Sequence, residues 1–271
     1  MKNIADSPFV LEMRKICTLL YSHGWDERNG GNISIILEND KVAEYIDIND
    51  IKRSIALESP KPDMAGKILL VTASGSYFKN VYDDPERNLG IIRISDDGAS
   101  YGIIWGYSGG GKPTSEVSTH ILCHGVRLKQ DPEHRVVMHC HATNIIAMSF
   151  IIPVTDKAFS KALWQTCTES MYVFPEGVGA IEWMVCGSDE IGYATAEKMK
   201  DYRICIWAQH GIFGTGKSVD EAFGLIETAE KGAEIYMKIA GHPILQTITD
   251  DNLRAIAEHF GLKNARFDFL D

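Results

Sequence analysis

The sequence predicts a single α/β domain in which helices flank a central mixed, largely antiparallel β-sheet. Segments with apolar residues at helical spacing alternate with short runs rich in β-branched residues along the whole chain. Two of these runs surround the turn Asp96-Asp97-Gly98, which is typical of a hairpin and therefore of antiparallel pairing. Because 271 residues can bury a large core and no clear boundary interrupts the pattern, we expect one domain over residues 1–271.

In the first half of the chain, one helix precedes several strand-like segments. Apolar residues at helical spacing indicate a helix over residues 8–23, which Pro8 can open and Gly24 can close. The segment that contains Pro60 and Pro62 is polar and is expected to be irregular. The remaining predictions for this half are a strand at 33–37, the irregular excursion at 39–66, a buried strand within 67–75 and the hairpin over 89–107.

The second half of the chain predicts more helices than strands. A helix follows the loop at Pro113, with Thr114 and Ser115 as N-cap residue types and Glu116 in its first turn. A strand that begins near residue 134 is expected to run into a helix that starts near Ala142. Further along, we expect two short strands within 171–185, a helix over 188–200, a strand within 202–216 that ends in a glycine-rich turn, and helices over 218–241 and 250–262.

The composition argues against some classes of partner. Lys and Arg number 27 while Asp and Glu number 37, so the formal net charge is −10, and no basic cluster interrupts this balance. Nucleic acid and anionic membranes are therefore not expected as partners, although backbone N–H groups can still bind a small anionic substrate. No apolar run reaches the roughly 18 residues of a transmembrane helix and no secretory signal is visible, so a cytoplasmic location is expected. The six cysteines lack a CxxC spacing, which favours reduced thiols.

Two histidines and a cysteine end a predicted strand in the sequence VVMHCHATN, residues 136–144. Alternate side chains of a strand share a face, so His139 and His141 are expected on one side and Cys140 on the other. Two neutral imidazoles on one face can bind one zinc ion, whereas Cys140 is expected in the core. The alternative is that both are ordinary strand residues, since a single His-x-His pattern is weak evidence for a metal site.

A third histidine strengthens the metal interpretation. His210 lies where the apolar run IWAQHG meets a glycine-rich turn, and sites gather at strand ends. Three histidines leave one zinc position open for substrate, as catalytic zinc sites do, whereas the alternative for His210 is a buried, hydrogen-bonded histidine. A cupin-type site is discounted because no glutamate occurs within residues 142–148. The other histidines are expected to be surface or satisfied helix residues: His23, His120, His124, His134, His242 and His259.

Three loops have the composition of an anion-binding site. Residues 29–32 (NGGN) offer flexible backbone N–H groups and two amides, and residues 72–75 (TASG) follow a strand in the manner of an anion nest. Thr114 and Ser115 precede a helix, where the helix dipole and free N–H groups favour phosphate. Each loop alone is also typical of a simple turn or helix cap, so the pattern becomes suggestive only when all three accompany a metal site.

Two glutamates are candidates for proton transfer. Glu116 is either a charge that complements the helix dipole or a carboxylate at the mouth of a metal site that acts as a general acid–base. Glu169, which precedes the run MYVFPEG, has the same two interpretations. The sequence pattern leaves both open.

A resemblance to a known family rests on seven segments: GWDERNGGN, VTASGSYFKNV, PTSE, RVVMHCHATN, VFPEGVG, HGIFGTG and DEAFGLIETAEK. Together they resemble the class II, zinc-dependent sugar-phosphate aldolases related to adducin, and within them the branch that cleaves L-rhamnulose 1-phosphate. The similarity runs from about residue 8 to 238 and into the tail. Fuculose-phosphate aldolases and pentulose-phosphate epimerases share the His-x-His theme but not GWDERNGGN or the 39–66 excursion.

The resemblance implies a role for particular residues. It implies one zinc ion per chain held by His139, His141 and His210, with Glu116 as the catalytic acid–base and Glu169 as a second carboxylate near the substrate. The implied phosphate-binding residues are Asn29, Gly31, Asn32, Ser74, Gly75, Thr114 and Ser115. The family pattern VTGSG is replaced here by VTASG, so Ala73 is expected to alter the detailed shape of this loop.

The implied activity is a zinc-dependent cleavage of L-rhamnulose 1-phosphate to dihydroxyacetone phosphate and L-lactaldehyde by a homotetramer of cyclic symmetry. No lysine Schiff base is required if zinc carries the developing charge. Alternatives within the family are another sugar-phosphate aldolase or a 4-epimerase, both of which need the same three histidines. A non-catalytic adducin-like module is expected to lose the histidines, and a structural zinc site usually has four ligands.

Overall fold

A nine-stranded sheet forms the centre of the computed structural model, which describes residues 2–271. In chain order its strands are β1 (Asn32–Leu37), β2 (Arg53–Ala56), β3 (Ile68–Thr72), β4 (Leu89–Ile94), β5 (Ser100–Gly106), β6 (Val136–Cys140), β7 (Gly179–Ile181), β8 (Ile204–Trp207) and β9 (Gly211–Gly216). They lie side by side in the order β2-β5-β4-β3-β1-β6-β9-β8-β7. Neighbours are antiparallel except β7 and β8, which are parallel. This mixed, largely antiparallel sheet confirms the predicted fold class.

Helices account for most of the remaining chain. Within residues 2–271 they are α1 (Pro8–Ser22), α2 (Asn39–Ala43), α3 (Phe78–Val81), α4 (Pro85–Asn88), α5 (Val117–Gln130), α6 (Thr143–Met148), α7 (Asp156–Thr166), α8 (Thr168–Val173), α9 (Asp189–Lys198), α10 (Val219–Ile239) and α11 (Asp250–Phe260). The predicted helices near the two ends of the chain correspond to α1, α9, α10 and α11. Across the described residues, no helix combines the length and the apolar character needed to cross a membrane.

The two faces of the sheet are covered by different helices because side chains alternate along each strand. Ile33 and Ile35 of β1 belong to one core, which also contains buried residues of α1, α6, α7 and α10. Ser34 of the same strand points to the other face, where it contacts α5. The α5 face, which α9 also covers, therefore receives the polar side chains of the central strands.

The segment 39–66, expected to be irregular, contains three short elements. These are α2, the edge strand β2 and a 3₁₀ turn at Pro62–Met64. β2 pairs with β5 and so adds one strand to the outer edge of the sheet. The limits of the domain, residues 1–271, stay a prediction.

The prediction of two short strands within residues 171–185 is wrong for the first of them. Met171, Tyr172 and Val173 belong to α8, and only β7 is a strand in this part of the described chain. Ser170 and Met171 are buried, and α8 packs against α10 and α11. This packing overrides the β preference of aromatic and β-branched residues.

The run 202–216 forms two strands instead of the single strand that was predicted. β8 and β9 are antiparallel neighbours joined by a tight turn at 208–210. Gln209 adopts a positive φ of 56°, which reverses the chain without a glycine at that position. The strand prediction failed because the turn contains no glycine or proline to mark it.

Helix α5 begins later than its predicted capping residues indicate. Its N-cap is Glu116, whose side chain makes no capping hydrogen bond. The Thr114 hydroxyl instead accepts a hydrogen bond from the Glu116 backbone N–H over 3.3 Å. Thr114 thus stabilises the turn before the helix, and the Glu116 side chain is free for other contacts.

Candidate metal centre and active site

Three histidines converge at one end of the central strands. His139 lies in β6, His141 lies just beyond the end of that strand, and His210 occupies the turn between β8 and β9. One ring nitrogen of each lies within 4.8 Å of those of the other two. We call these residues the histidine trio. Cys140 points away from it into the core, as strand alternation predicts.

Strand pairing explains why His210 reaches the other two residues. β6 and β9 are neighbours, with Phe213 opposite His139, so the turn before β9 lies beside the end of β6. A Cβ atom on Gly211 would lie 2.4 Å from the Cys140 carbonyl oxygen and 2.9 Å from the His139 ring. Only glycine therefore allows the backbone to approach this closely.

The hydrogen bonds of the trio determine which ring nitrogens remain available. His139 Nδ1 donates to the Ile212 carbonyl oxygen over 3.0 Å, and His141 Nδ1 donates to Glu27 Oε1 over 2.8 Å. In a neutral imidazole the other nitrogen then carries a lone pair. His139 Nε2 is buried and has no hydrogen-bond partner. An unpartnered lone pair that converges with ring nitrogens of two other histidines fits a metal ligand, because most buried polar atoms have partners.

Burial keeps two members of the trio, His139 and His210, in the neutral state that a metal requires. Desolvation lowers the pKa of His139 well below its ordinary value, and the neighbouring His141 and His210 act in the same direction. Desolvation, followed by the influence of His141, lowers the pKa of His210 to about 4. Neutral imidazoles are the ligands that zinc accepts, and three of them leave one position of a tetrahedral site open. The arrangement fits a catalytic metal centre.

Glu116 lies beside the trio in a nearly closed environment. Its side chain accepts a hydrogen bond from Asn32 Nδ2 over 2.9 Å, and Asn32 is the cross-strand neighbour of His139. Only 7% of the residue is exposed, and desolvation raises the pKa of its carboxyl, although the Asn32 hydrogen bond and the proximity of His141 oppose this. A carboxyl with a raised pKa exchanges protons near neutral pH more readily than an ordinary glutamate does.

The structure brings the three predicted anion-binding loops together on the Asn32 side of the trio. The Ile33 backbone N–H donates to the Thr72 hydroxyl over 3.1 Å, and the Thr114 N–H donates to the Thr72 carbonyl over 2.9 Å. The Ser74 N–H donates to the Lys112 carbonyl over 2.9 Å. The ends of β1 and β3 and the loop before α5 therefore form one continuous rim.

The predicted phosphate-binding residues differ in their exposure, and therefore in whether a ligand can reach them. The exposed positions on the rim are Asn29, Ser74, Gly75 and Ser115. Thr114 and Asn32 are buried, and the Asn32 amide is already engaged by Glu116 and His120. A Cβ atom on Gly31 would collide with Asp26 Oδ1 at 1.8 Å, so this position requires glycine.

Ala73 has an ordinary backbone conformation in the second loop. It forms an isolated bridge with Pro113, and its backbone N–H donates to the Asn88 carbonyl over 2.8 Å. It is not one of the non-glycine residues with a positive φ in the described chain, so alanine meets no backbone strain there. The positive φ falls on Gly75, at 72°.

Glu169 lies apart from the other predicted site residues. It is in the first turn of α8, where it is exposed. Helix α8 packs against α7, α10 and α11, whereas Glu116 precedes α5, which covers the other face of the sheet. A single chain therefore does not bring the two predicted carboxylates together.

Two residues of the site were missed from the sequence. Glu27 binds His141, and Gln209 helps to line a cleft of about 420 Å³ that opens beside His141 and His210. Burial tends to raise the pKa of Glu27, but the hydrogen bond from His141 and other contacts outweigh this, so the pKa is lowered. No sequence motif links residues 27 and 141, because their segments meet only in the folded chain, where the His141 backbone N–H also donates to the Trp25 carbonyl oxygen. A larger cavity of about 840 Å³ beside α1 is lined by no histidine. The residue types that line a cavity therefore identify the candidate site better than the cavity volume does.

Three histidines that the sequence assigned to the helices and turns form a buried set of their own. The hydroxyl of Ser34 contacts His120 and His124 of α5, and His124 in turn contacts His134, which lies before β6. We call these four residues the histidine chain. The expectation that such histidines are satisfied holds for His120 and His124, whose ring nitrogens all have partners.

Comparison with known proteins identifies the relatives of this chain. Residues 11–237 match the class II aldolase and adducin N-terminal domain. A rhamnulose-1-phosphate aldolase of Listeria monocytogenes serovar 1/2a is 52% identical over 97% of this chain and 96% of its own length. One of Enterococcus faecalis is 48% identical over 96% of this chain and 94% of its own.

A solved structure agrees with these relatives. The sugar-phosphate aldolase of Thermotoga maritima has a TM-score of 0.75 and 28% identity over 86% of this chain and 97% of its own. The family resemblance predicted from the sequence segments is confirmed. The chain therefore belongs to the class II aldolase and adducin N-terminal domain family.

Proposed function

We propose that this protein is a zinc-dependent aldolase that reversibly cleaves L-rhamnulose 1-phosphate to dihydroxyacetone phosphate and L-lactaldehyde. The observation that carries the proposal is the histidine trio, in which the buried His139 Nε2 has no partner within the protein. The choice of substrate is supported by relatives of that name that match nearly the whole chain. One class II aldolase domain over residues 1–271 and a cytoplasmic location complete the proposal.

His139, His141 and His210 hold the zinc ion in this proposal. When bound, zinc supplies Lewis-acid stabilisation of the negative charge that develops on the ketose oxygens as the C3–C4 bond breaks. Glu27 orients the His141 ring and keeps the proton on its Nδ1, which leaves Nε2 to face the metal. The Ile212 carbonyl does the same for His139.

Glu116 moves the proton. Breaking C3–C4 leaves a carbanion-like carbon in the dihydroxyacetone phosphate half, and a proton has to reach that carbon before release. The buried Glu116 carboxyl, held by Asn32 beside the trio, is placed for this transfer. Its raised pKa, which results from desolvation, brings it closer to the pH at which a general acid–base works best.

The rim holds the phosphate away from the reacting bond. Asn29, Ser74, Gly75 and Ser115 are the exposed positions on this rim, and Gly75 has a positive φ of 72°. Thr114, which closes the turn beneath them, completes the third loop. Anchoring the substrate at this remote group orients the bond to be broken.

The exposed position of Glu169 gives a reason for a homotetramer of cyclic symmetry. A carboxylate that lies apart from the trio of its own chain can act only at the site of another copy. In a cyclic assembly each subunit presents the same surface to its neighbour. We therefore assign Glu169 to the site of the adjacent subunit.

Purified protein provides the test. Metal content is measured together with cleavage of L-rhamnulose 1-phosphate, of L-fuculose 1-phosphate and of unphosphorylated L-rhamnulose. We expect about one zinc per chain and the highest kcat/KM for L-rhamnulose 1-phosphate. Preference for the fuculose ester, or epimerisation without cleavage, would contradict the substrate assignment. Equal activity on the unphosphorylated ketose would contradict the role of the rim.

A further inference from the structure

A continuous set of buried hydrogen bonds begins at the Glu116 carboxylate. Asn32 Nδ2 donates to Glu116 Oε2 over 2.9 Å, and Asn32 Oδ1 contacts His120 Nε2. All three residues are buried. Each half of the Asn32 amide therefore has its own partner, one in the site and one on α5.

The hydrogen bonds continue through the histidine chain. Ser34 Oγ lies 2.6 Å from His120 Nδ1 and 2.8 Å from His124 Nε2. His120 and His124 are four residues apart on α5, so both rings project from one face of the helix towards β1. His124 Nδ1 lies 2.8 Å from His134 Nε2. His120 and His124 have no exposed surface, and His134 is 4% exposed.

The ionised carboxylate determines the direction of every donor in this set. A carboxylate only accepts hydrogen bonds, so the amide nitrogen of Asn32 faces Glu116 and its oxygen faces His120. His120 Nε2 must then carry the hydrogen. Desolvation lowers the pKa of His120 to about 3, so the ring is neutral and its Nδ1 accepts from the Ser34 hydroxyl. Ser34 Oγ in turn accepts from His124 Nε2–H.

The reversed amide is incompatible with this arrangement. If the Asn32 amide turned over, its oxygen would face the Glu116 carboxylate, and two acceptors repel each other. Its N–H would meet the N–H of His120. The clash with His120 could be relieved only if His120, Ser34 and His124 all reversed their donors, and the repulsion at Glu116 would remain. The histidine chain therefore stabilises the one amide orientation that donates to Glu116.

We propose that His120 is a positioning residue for Glu116: supported by Ser34 and His124, it holds the Asn32 amide so that Nδ2 keeps the proton-transferring carboxylate in place. This inference rests on the proposed role of Glu116. His120 does not touch the substrate in this scheme. Its effect on the reaction passes through Asn32 in this proposal.

Two substitutions at His120 separate positioning from packing. His120→Gln keeps an N–H that can donate to Asn32 Oδ1, whereas His120→Phe fills the buried space with an apolar ring. Positioning predicts that His120→Phe lowers kcat at least about tenfold, within the hundredfold that a 1 Å misplacement can cost, and that His120→Gln retains more of the activity. KM and zinc content should stay close to those of the unaltered protein. A packing role predicts the opposite order, since phenylalanine suits a buried site better.

Ile121→Val provides the matched control on the same helix. Ile121 is fully buried on α5 and belongs to an apolar cluster that contains none of these hydrogen bonds. It should lose stability without losing kcat. Where His120→Phe does not fold, Ser34→Ala serves instead, because it removes the donor to His120 Nδ1 with a smaller change in volume. A kcat of Ser34→Ala equal to that of Ile121→Val would overturn the inference.

A double-mutant cycle with Glu116→Gln decides whether the effect passes through Glu116. We expect His120→Phe to lower kcat in the unaltered background but to add little once Glu116→Gln is present. If the two losses multiply, His120 acts by another route and the inference is wrong, while the role of Glu116 stands. If Glu116→Gln alone leaves kcat near normal, the proposed role of Glu116 fails, and the inference fails with it.

Discussion

The histidine trio and the histidine chain have similar residues in similar surroundings, and they differ in how their nitrogens are satisfied. Both lie on the α5 face of the sheet, and both contain histidines with little or no exposed surface. His120 and His124 use every ring nitrogen in a hydrogen bond within the protein. His139, just as buried, leaves Nε2 without a partner.

This difference distinguishes a ligand from a structural histidine. A buried polar atom without a partner costs about 1–3 kcal/mol, so it persists where something outside the protein satisfies it. Burial and a lowered pKa are common to both groups and therefore do not discriminate between them. The useful observation is the unpaired lone pair and its convergence with two others.

Alanine substitution should give the largest contrast between the two groups. His139→Ala removes a proposed metal ligand, so we expect zinc to be lost and cleavage to fall at least about a thousandfold, given the several kcal/mol that a Lewis acid supplies. His134→Ala, at the far end of the histidine chain, should keep its zinc. Metal analysis and activity assays of both proteins provide the test. Full metal occupancy in His139→Ala would contradict the assignment of the trio as metal ligands and of the histidine chain as structural.

Glu116→Gln tests the residue that lies between the two groups. The glutamine keeps the shape and the hydrogen bond from Asn32 but cannot carry the proton. We expect zinc content to be unchanged and turnover to fall by about 10²–10⁴-fold, the usual worth of a general acid–base. Exchange of the dihydroxyacetone phosphate proton with solvent should fall in parallel. A protein with lower thermal stability but normal exchange would show that Glu116 is only a charge at the start of α5.

Glu27→Gln sharpens the comparison within the trio. Loss of the carboxylate weakens the hydrogen bond from His141 Nδ1–H. Removing a hydrogen-bond partner of a metal-binding histidine typically lowers metal affinity by about 10–100-fold. We expect weaker zinc binding in competition with a chelator. Glu12→Gln is the control, because Glu12 binds Arg135 over 3.1 Å away from the trio. Equal zinc affinity in the two variants would mean that His141 needs no support.

The smallest expected effect is the contribution of His134, in the histidine chain, to the pH dependence of the protein's folding stability. Desolvation, followed by the effect of Arg127, lowers the pKa of His134 to about 3. Above the unfolded pKa of about 6.5 the ring is neutral in both states and contributes no pH dependence. Between about 6.5 and 3 only the unfolded chain binds the proton, so stability falls by roughly 1.4 kcal/mol per pH unit as pH decreases.

His134→Gln should therefore flatten the decline in stability on acidification. Urea unfolding of both metal-free proteins, measured from about pH 7 to about pH 5, gives the two slopes. The slopes should differ by about one proton, while the carboxylates shared by both proteins cancel. Nearby Asp131 raises the pKa of His134 only as a weaker influence. Identical slopes would mean that His134 is protonated in the folded protein.

The sequence predicted those parts of the site whose signal is local. The alternation of His139, Cys140 and His141 follows from strand geometry, and the helix that begins at Pro8 follows from its capping residues. Glu27 and His120 were not found, because their partners lie 114 and 88 residues away in the chain. Only the pairing of β1 with β6 and the packing of α5 on the sheet bring these residues together. The turn at Gln209 was missed because its residue types carry no turn signal.

The ends of the sheet limit how copies of this chain can associate. One edge is β2, four residues long and bearing the cationic Arg53, and the other is β7, three residues long and buried. Short or charged edge strands offer little template for pairing with another chain, and they protect a protein from aggregation. This favours helices and loops for any contact between copies of the chain, and large apolar side chains there, such as Phe150 and Trp183, are 70% and 66% exposed. Packing of that kind would join copies of the chain without extending the β-sheet from one copy into the next.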